Sequence, residues 1–306
     1  MSKKASYHKV ITIRKKSILQ KLIIIMLFIL LSASIVKDSI QLYAASSAGR
    51  KSVYVPIVMY HHVKNTQLGK NAISPYEFEC DLKYLKENHY NTITMSQLID
   101  YVYEGTELPP NPIILSFDDG HIDTYKNVFP LLKKYNMKIV LSVIGKSTED
   151  FSRVGGSNAD YAHMTYYQIK EMADSGLAEI QNHTYNLHAI RNGRYGCGQM
   201  KNEALSNYEK ILSEDVSSFQ ESVCKEIDII PNTFAYPYGK YNNNSEDILR
   251  KLGFKATLTC TYGVNVINNN PECLYELKRI GRSHNDGIAK LIQDAMLTLK
   301  FNSELN

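Results

Sequence analysis

One short stretch, Ile113–Gly120, constrains the fold of this chain more than any other. It reads Ile-Ile-Leu-Ser-Phe-Asp-Asp-Gly, an apolar run that ends in two adjacent carboxylates and a glycine. A continuous apolar run of this kind is typical of a strand that is buried on both faces of a parallel sheet. Asp118 and Asp119 would then lie at the C-terminal end of the strand, where α/β enzymes place catalytic groups. A solvated turn is the alternative, because Asp and Gly are also common turn formers.

Strand-like and helix-like segments alternate along the rest of the chain. Apolar runs at Lys138–Ile144, Leu177–Ile180, Thr233–Tyr236 and Lys255–Thr259 are separated by segments long enough for crossover helices. We therefore predict an α/β fold, a distorted (β/α)7-type barrel with parallel strands in a single catalytic domain. An open doubly wound sheet is the alternative. The chain contains no glycine-rich dinucleotide fingerprint and no P-loop.

Local patterns predict the remaining elements. The first strand spans Ser52–Val63, one helix spans Asp123–Tyr135, and a long amphipathic helix spans Glu203–Glu226. Ser147–Tyr161 is polar and glycine-containing, which predicts a loop. Capping boxes predict three further helix starts, at Ser74, Thr94 and Thr165.

The N-terminus differs in composition from the remainder. Residues 1–36 contain seven basic residues and no acidic one. The apolar run within them, about 15 residues long, is short for a spanning helix, and small residues suited to signal peptidase follow at 44–48. We predict a cytoplasmic basic segment with a signal peptide or membrane anchor at 1–36, a linker at 37–51 and the catalytic domain at 52–306. The domain would then be secreted or held at the cell surface.

Charge and cysteine content exclude other classes of protein. Outside residues 1–36 the chain carries 28 basic and 31 acidic residues, which gives no indication of a nucleic-acid partner. None of the cysteines forms a C-x-x-C motif, which argues against zinc-finger and redox motifs. We interpret them mainly as small buried hydrophobic residues, with a Cys260–Cys273 disulfide as an alternative. They are Cys80, Cys197, Cys224, Cys260 and Cys273.

Polar side chains follow several predicted strands, at the points where those strands end. Strand ends converge on one face of an α/β barrel, so these side chains should lie close together. Two histidines with one carboxylate, leaving open positions, form the layout of a catalytic metal site. The candidates are His61, His62, Asp118, Asp119, His183, His188, Tyr238 and Arg279.

Three ordered motifs carry a resemblance to an enzyme family. They are Ser-Phe-Asp-Asp-Gly at 116–120, His-Thr-Tyr-Asn-Leu-His at 183–188 and Tyr-Pro-Tyr-Gly at 236–239. Their order and spacing resemble those of NodB-like polysaccharide deacetylases, carbohydrate esterase family 4, over roughly Pro56 to Arg282. The resemblance implies a metal-dependent hydrolase that removes acetyl groups from a glycan and releases acetate.

The resemblance also implies a role for each matching residue. Asp118 matches the general base of the family, and Asp119, His183 and His188 match its metal ligands. The backbone N–H of Tyr238 matches a donor to the tetrahedral oxyanion. The metal would be a divalent ion, zinc in the first place, with cobalt, nickel or iron also compatible with two nitrogens and one oxygen.

The chain departs from the usual family pattern in the spacing of its histidine pair. The two histidines of the second motif are five residues apart, one more than is usual. This spacing resembles the subgroup that de-N-acetylates biofilm poly-N-acetylglucosamine, in which the general acid comes from an early Tyr-His motif. Tyr60-His61 matches that motif, so we expect His61 to be the acid, with His62 and His284 as alternatives.

A second departure concerns the residue that orients the base. The family often has an arginine before the prolines of the third motif, whereas this chain has Ala235 there. Arg279 or Arg282 could take its place.

The leading expectation for function is de-N-acetylation of a polysaccharide that contains N-acetylglucosamine, in a cell wall or a biofilm matrix. An esterase that removes O-acetyl groups and a non-catalytic glycan-binding domain with a degenerate site are the alternatives. The expected partners are the acetylated glycan and, if the N-terminal segment is not cleaved, the membrane.

Overall fold

The computed structural model describes residues 52–157, 159 and 161–304, together with Met26. The basic segment, the signal peptide or anchor and the linker predicted at 1–51 therefore lie outside the described residues, apart from Met26. No helix within the described ranges combines the length and the apolar character needed to cross a membrane.

Short strands and helices alternate along the chain. The strands are β1 (Val53–Val55), β2 (Ile57–Tyr60), β3 (His62–Val63), β4 (Ala72–Ile73), β5 (Asn91–Thr92), β6 (Pro112–Phe117), β7 (Ile139–Val143), β8 (Ala178–Asn182), β9 (Ile190–Arg191), β10 (Arg194–Tyr195), β11 (Thr233–Ala235), β12 (Ala256–Leu258), β13 (Asn265–Ile267) and β14 (Ile280–Gly281). The α-helices are α1 (Pro75–Glu87), α2 (Met95–Tyr103), α3 (Phe129–Tyr135), α4 (Gly145–Arg153), α5 (Tyr166–Asp174), α6 (Leu205–Ile227), α7 (Asn243–Lys251) and α8 (Ile288–Glu304). A π-helical turn spans Thr124–Val128, and 3-10 turns span Pro237–Gly239 and Pro271–Leu274.

Seven parallel strands form the central sheet, in the order β12-β11-β8-β7-β6-β2-β14, and β5 pairs with the start of β6. The two edges of the sheet approach each other through the segment that leads into β14. Leu277 exchanges backbone hydrogen bonds with Thr257 and Thr259 at the β12 edge, while Ile280 and Gly281 pair with β2. The sheet therefore curls into a distorted (β/α) barrel in a single domain, as predicted.

Strand β6 is buried along its whole length, as its apolar run predicts. Ile114 packs inside the barrel with Ile57 and Val140. Because side chains alternate along a strand, Ser116 and then Asp118 face the same interior. The intervening residues Ile113, Leu115 and Phe117 pack in the cluster that includes the core faces of α1, α3, α5 and α6.

Helix α2 is anchored from the sheet as well as by its own sequence. Capping boxes begin α1, α2 and α5 at the three predicted positions. In addition, the Glu179 carboxylate on β8 accepts hydrogen bonds from the backbone N–H groups of Met95 and Ser96, at 2.7 and 2.9 Å. A carboxylate at a helix N-terminus is favourable because the first N–H groups have no partner within the helix.

Several local predictions were wrong. Ser147–Tyr161 is not entirely a loop, because α4 runs through Arg153. The first N–H groups of α4 donate to the carbonyls of Thr184 and Tyr185, a tertiary contact that local composition does not reveal.

The predicted first strand is divided into β1, β2 and β3, with a break at Pro56, which has no N–H for a sheet ladder.

The helix predicted over Asp123–Tyr135 begins as a π-helical turn, and only its second half is α-helical. The N–H of Phe129 donates to the carbonyl of Thr124, and the next residue, Pro130, has no N–H to continue an α-helical ladder.

The cysteines also differ from the prediction. All five are free, so Cys260 and Cys273 form no disulfide. Only Cys197 is fully buried, whereas Cys224 and Cys260 are exposed.

Candidate active site

The polar residues predicted at strand ends meet at the C-terminal end of the barrel. Asp119 follows β6, and His183 and His188 follow β8. The nearest ligand atoms of these three residues all lie within 4.8 Å of one another. Asp119 Oδ1 is 3.5 Å from His183 Nε2 and 3.1 Å from His188 Nε2.

The chemistry of this triad fits a divalent metal ion. Asp119 Oδ1 is buried, and the two histidine nitrogens approach it without hydrogen-bond geometry, so it has no hydrogen-bond partner among the described residues. A buried carboxylate oxygen without a partner is costly unless a cation binds it. His183 Nδ1 lies 2.7 Å from the carbonyl oxygen of Ala235, which fixes the proton on Nδ1 and leaves the Nε2 lone pair facing the triad.

The pKa values of Asp119 and His183 depend on the charged and polar groups around them. Burial alone would raise the pKa of Asp119, but the neighbouring histidines His121, His183 and His188 hold the pKa well below its usual value. Burial would lower the pKa of His183, but Asp118 and Asp119 outweigh burial and raise it. Without a metal, the two carboxylates therefore favour protonation of His183.

The loop between the two histidines is held by helix α6. The Asp215 carboxylate accepts hydrogen bonds from the backbone N–H groups of Tyr185 and Asn186, at 2.8 and 2.7 Å. Asn182 Oδ1 accepts another from the N–H of Thr184 at 2.7 Å, which supports the left-handed φ of 71° at Thr184. These contacts let a five-residue spacing return His188 to the same point as His183.

Asp118 makes an ion pair with Arg279. Asp118 is 2% exposed and Arg279 is 1% exposed. Arg279 Nη1 donates to Asp118 Oδ1 at 2.8 Å and to Ser116 Oγ at 3.0 Å, and its Nε donates to the Thr259 carbonyl at 2.6 Å. Arg279 lies in the segment that closes the barrel, so the closure itself brings the guanidinium to the end of β6.

This ion pair keeps Asp118 ionised. Burial would raise the pKa of Asp118, but the charges of Arg279 and His183 outweigh burial and lower it. A buried carboxylate that is ionised at neutral pH, and lies beside a candidate metal site, can accept a proton from water.

Arg282, the other arginine considered from the sequence, has a different partner. Its Nε and Nη2 donate to the two carboxylate oxygens of Asp81 on α1, at 2.8 and 3.1 Å. Arg279 is therefore the arginine that contacts Asp118, and Arg282 belongs to a separate buried ion pair.

The three candidate acids occupy different surroundings. His61 follows β2 beside the end of β6, where the Asp118 N–H donates to the Tyr60 carbonyl at 3.0 Å. Burial is the largest influence on the pKa of His61 and lowers it, although the charges of Asp118 and Asp119 act in the opposite direction. His62 Nδ1 lies 2.6 Å from Asp123 Oδ2, and His284 Nδ1 lies 2.9 Å from a carboxylate oxygen of Glu77, the first-turn residue of α1.

An aromatic rim lies beside the triad. The Tyr238 ring is centred 4.7 Å from the His188 ring and 4.8 Å from the ring of Tyr195, at the end of the β9–β10 hairpin. Both tyrosines expose about two-fifths of their surface. Tyr238 has a left-handed φ of 57°, and Gly196 packs so closely against the 3-10 turn that a Cβ there would lie 3.1 Å from the Pro237 carbonyl.

Sequence reasoning missed three residues that support the site. His121 and His163 contact Asp119, and Asp215 holds the histidine loop. His121 immediately follows the first motif and could have been noticed on that ground. His163 and Asp215 carry no local signal, because their contacts span 44 and 30 residues of sequence.

The sequence of the chain is similar to those of two bacterial proteins. The chain is 29% identical over 231 residues to YxkH of Bacillus subtilis, covering 75% of this chain and 72% of that protein. It is 25% identical over 207 residues to the poly-beta-1,6-N-acetyl-D-glucosamine N-deacetylase of Staphylococcus aureus, covering 67% of each.

The fold is shared with a solved deacetylase. The structure of the Streptococcus pyogenes deacetylase PplD in complex with acetate superposes with a TM-score of 0.65 at 27% identity, over 80% of this chain and 99% of that one. The polysaccharide deacetylase family model matches residues 105–257, which is half of the chain. With both the sequence and the fold matched in this way, the chain belongs to the polysaccharide deacetylase family and is a hydrolase of acetylated glycans.

Proposed function

We propose that this chain is a metal-dependent de-N-acetylase of a polymer containing N-acetylglucosamine, located in a cell wall or a biofilm matrix. The observation that carries the proposal is the buried, ionised Asp118 beside a triad whose donor atoms fit a divalent metal. The name of the S. aureus relative, a poly-N-acetylglucosamine N-deacetylase, supports this class of substrate.

In this proposal Asp119, His183 and His188 hold the metal, with zinc as the first candidate and cobalt, nickel or iron as the others. When bound, such a metal lowers the pKa of water and polarises the acetyl carbonyl. Asp118 removes a proton from the attacking water, and Arg279 keeps the carboxylate ionised and correctly oriented. The backbone N–H of Tyr238 donates to the oxyanion that forms from the carbonyl oxygen.

His61 completes the reaction by protonating the nitrogen of the departing amine. Because burial lowers its pKa, His61 is neutral in the resting enzyme at neutral pH. The proton that Asp118 removes from water can be passed to His61 and then to the amine, so that water and amide yield acetate and amine without a net change of protons. The acid role requires only that His61 reach both the base and the nitrogen.

The proposal is tested by measuring the acetate that the full chain releases from several substrates. Bound metal is first removed from the protein by chelation, and one metal at a time is then restored. The substrates are β-1,6- and β-1,4-linked N-acetylglucosamine oligomers, peptidoglycan fragments and O-acetylated xylan oligomers. We expect metal-dependent release from at least one N-acetylated glycan. Release from the O-acetylated glycan alone, or from none of them with metal bound, would overturn the proposal.

The exposed pair Tyr195 and Tyr238 suits the apolar face of a sugar ring next to the reacting unit. We predict that Tyr195→Ala raises KM for a hexasaccharide about 2–10-fold with little change in kcat, as expected for the loss of an aromatic contact of ~0.5–1.5 kcal/mol. Tyr195→Phe is the matched control, because it keeps the ring. An equal KM for all three proteins would show that the hairpin does not bind the glycan.

We also propose that residues 52–306 form the catalytic domain and that the N-terminal segment exports it. The basic and then apolar composition of that segment is the support. Protease added to intact cells should digest an exported domain, whereas protection of the domain until lysis would contradict export.

A further inference from the structure

Two histidines outside the triad contact Asp119. His121 contacts its side chain, and His163 contacts its backbone carbonyl. We propose that His121 and His163 are positioning residues that set the Asp119 carboxylate for metal binding, with His121 acting directly on its second oxygen. The inference rests on the proposed metal site and adds two residues to it.

His121 contacts the oxygen of Asp119 that faces away from the other histidines. Its Nε2 lies 3.2 Å from Asp119 Oδ2, while His183 and His188 approach Oδ1. With Oδ2 occupied by a hydrogen bond, Oδ1 is the oxygen that remains for a metal. His121 therefore favours ligation through one oxygen and fixes which oxygen is used.

The orientation of His121 is itself fixed by stacking. Its ring lies nearly parallel to the His62 ring, with centroids 3.7 Å apart and an angle of 20°. His62 in turn is held by Asp123, whose Oδ2 lies 2.6 Å from His62 Nδ1. The stack limits rotation of the His121 ring and so keeps its Nε2 directed at Asp119.

His163 acts on the backbone of the same residue. Its Nδ1 lies 3.0 Å from the Asp119 carbonyl oxygen, and residues 121 and 163 form an isolated antiparallel bridge. Asp119 has a left-handed φ of 73°, a conformation that L-residues with a side chain seldom adopt and that persists only when its surroundings impose it. The His163 contact is one of those that impose it.

Together these contacts order Asp119 before any metal arrives. A ligand that is already in place loses little conformational freedom on binding, so the metal binds more tightly. Removing a residue that hydrogen-bonds to a metal ligand typically weakens metal affinity about 10–100-fold.

The test compares the metal affinity of the wild-type chain with the affinities of His121→Phe and His121→Gln. Each protein competes with a chelating dye for Zn²⁺ or Co²⁺. Phenylalanine keeps the ring that stacks on His62 but has no donor, whereas the glutamine amide supplies an N–H near the position of Nε2. We expect His121→Phe to lose about 10–100-fold in affinity and to change the Co²⁺ visible spectrum. His121→Gln should restore most of both.

Further variants distinguish a failure of this inference from a failure of the proposed metal site on which it rests. His284→Phe is the matched control, because it replaces a histidine that bonds a carboxylate away from the triad. If His121→Phe does not fold, His121→Leu makes the same comparison. Wild-type affinity in a folded His121 variant without a donor would overturn the inference, whereas a wild-type chain that binds no metal would overturn the proposed function instead.

Discussion

Asp118→Asn is expected to reduce acetate release by about 10²–10⁴-fold, the usual contribution of a general base. Asparagine has nearly the same shape and can still accept a hydrogen bond from Arg279, but it cannot take a proton from water. The measurement is kcat/KM for an acetylated oligosaccharide, with metal content determined on the same sample. Full metal occupancy with unchanged activity would show that another group is the base.

The same substitution should also destabilise the protein. Asp118 and Arg279 are both buried, and removing one partner of a buried ion pair typically costs about 3–5 kcal/mol because the other charge remains unpaired. Asp81→Asn is the matched control, because the Arg282–Asp81 pair is also buried but lies outside the candidate site. We expect Asp81→Asn to lower the melting temperature while activity per folded molecule is retained.

The Asp118 ion pair also predicts a direction for pH dependence. The pKa of Asp118 is lower in the folded chain than in the unfolded chain, so its contribution to stability is present above the unfolded pKa and is lost as pH falls through the folded pKa. In Arg279→Gln the largest of the charges that offset burial is removed, so the pKa of Asp118 rises. The acidic limb of the pH–activity profile should then shift to higher pH, whereas an unmoved limb would contradict the role of Arg279.

His183→Ala is expected to abolish metal-dependent activity altogether. It removes one of the three candidate ligands, so the loss of metal affinity should exceed the about 10–100-fold that is typical for a residue that only hydrogen-bonds to a ligand. Chelation should inactivate the wild type in the same way, but added metal should restore only the wild type. Metal content after dialysis and acetate release are the two measurements, and His284→Ala is the control for metal content alone.

The raised pKa of His183 adds a pH effect on metal binding. A protonated imidazole cannot bind a metal, so protons compete with the ion as pH falls through that pKa. Metal affinity of the wild type should therefore decline on acidification. A metal affinity that stays constant as pH falls through the pKa of His183 would argue that His183 is not a ligand.

The central strand and the three motifs could be read directly from the sequence, because their signals are local. The apolar run of β6 predicts its burial, and the position of Asp119, His183 and His188 at strand ends predicts their convergence. Tertiary contacts could not be read in this way. Arg279 reaches Asp118 across 161 residues of sequence, and only closure of the barrel decides that Arg279, and not Arg282, contacts Asp118.

The left-handed residues of the three motif loops limit how far this enzyme can be made heat-resistant. Asp119, Thr184 and Tyr238 all have positive φ without being glycine, a strain of roughly 1–3 kcal/mol each that the surrounding contacts hold in place. Selection for thermal tolerance alone would favour replacements that relax these loops. Because the same loops carry the candidate ligands and the candidate oxyanion donor, such variants would gain stability at the expense of turnover.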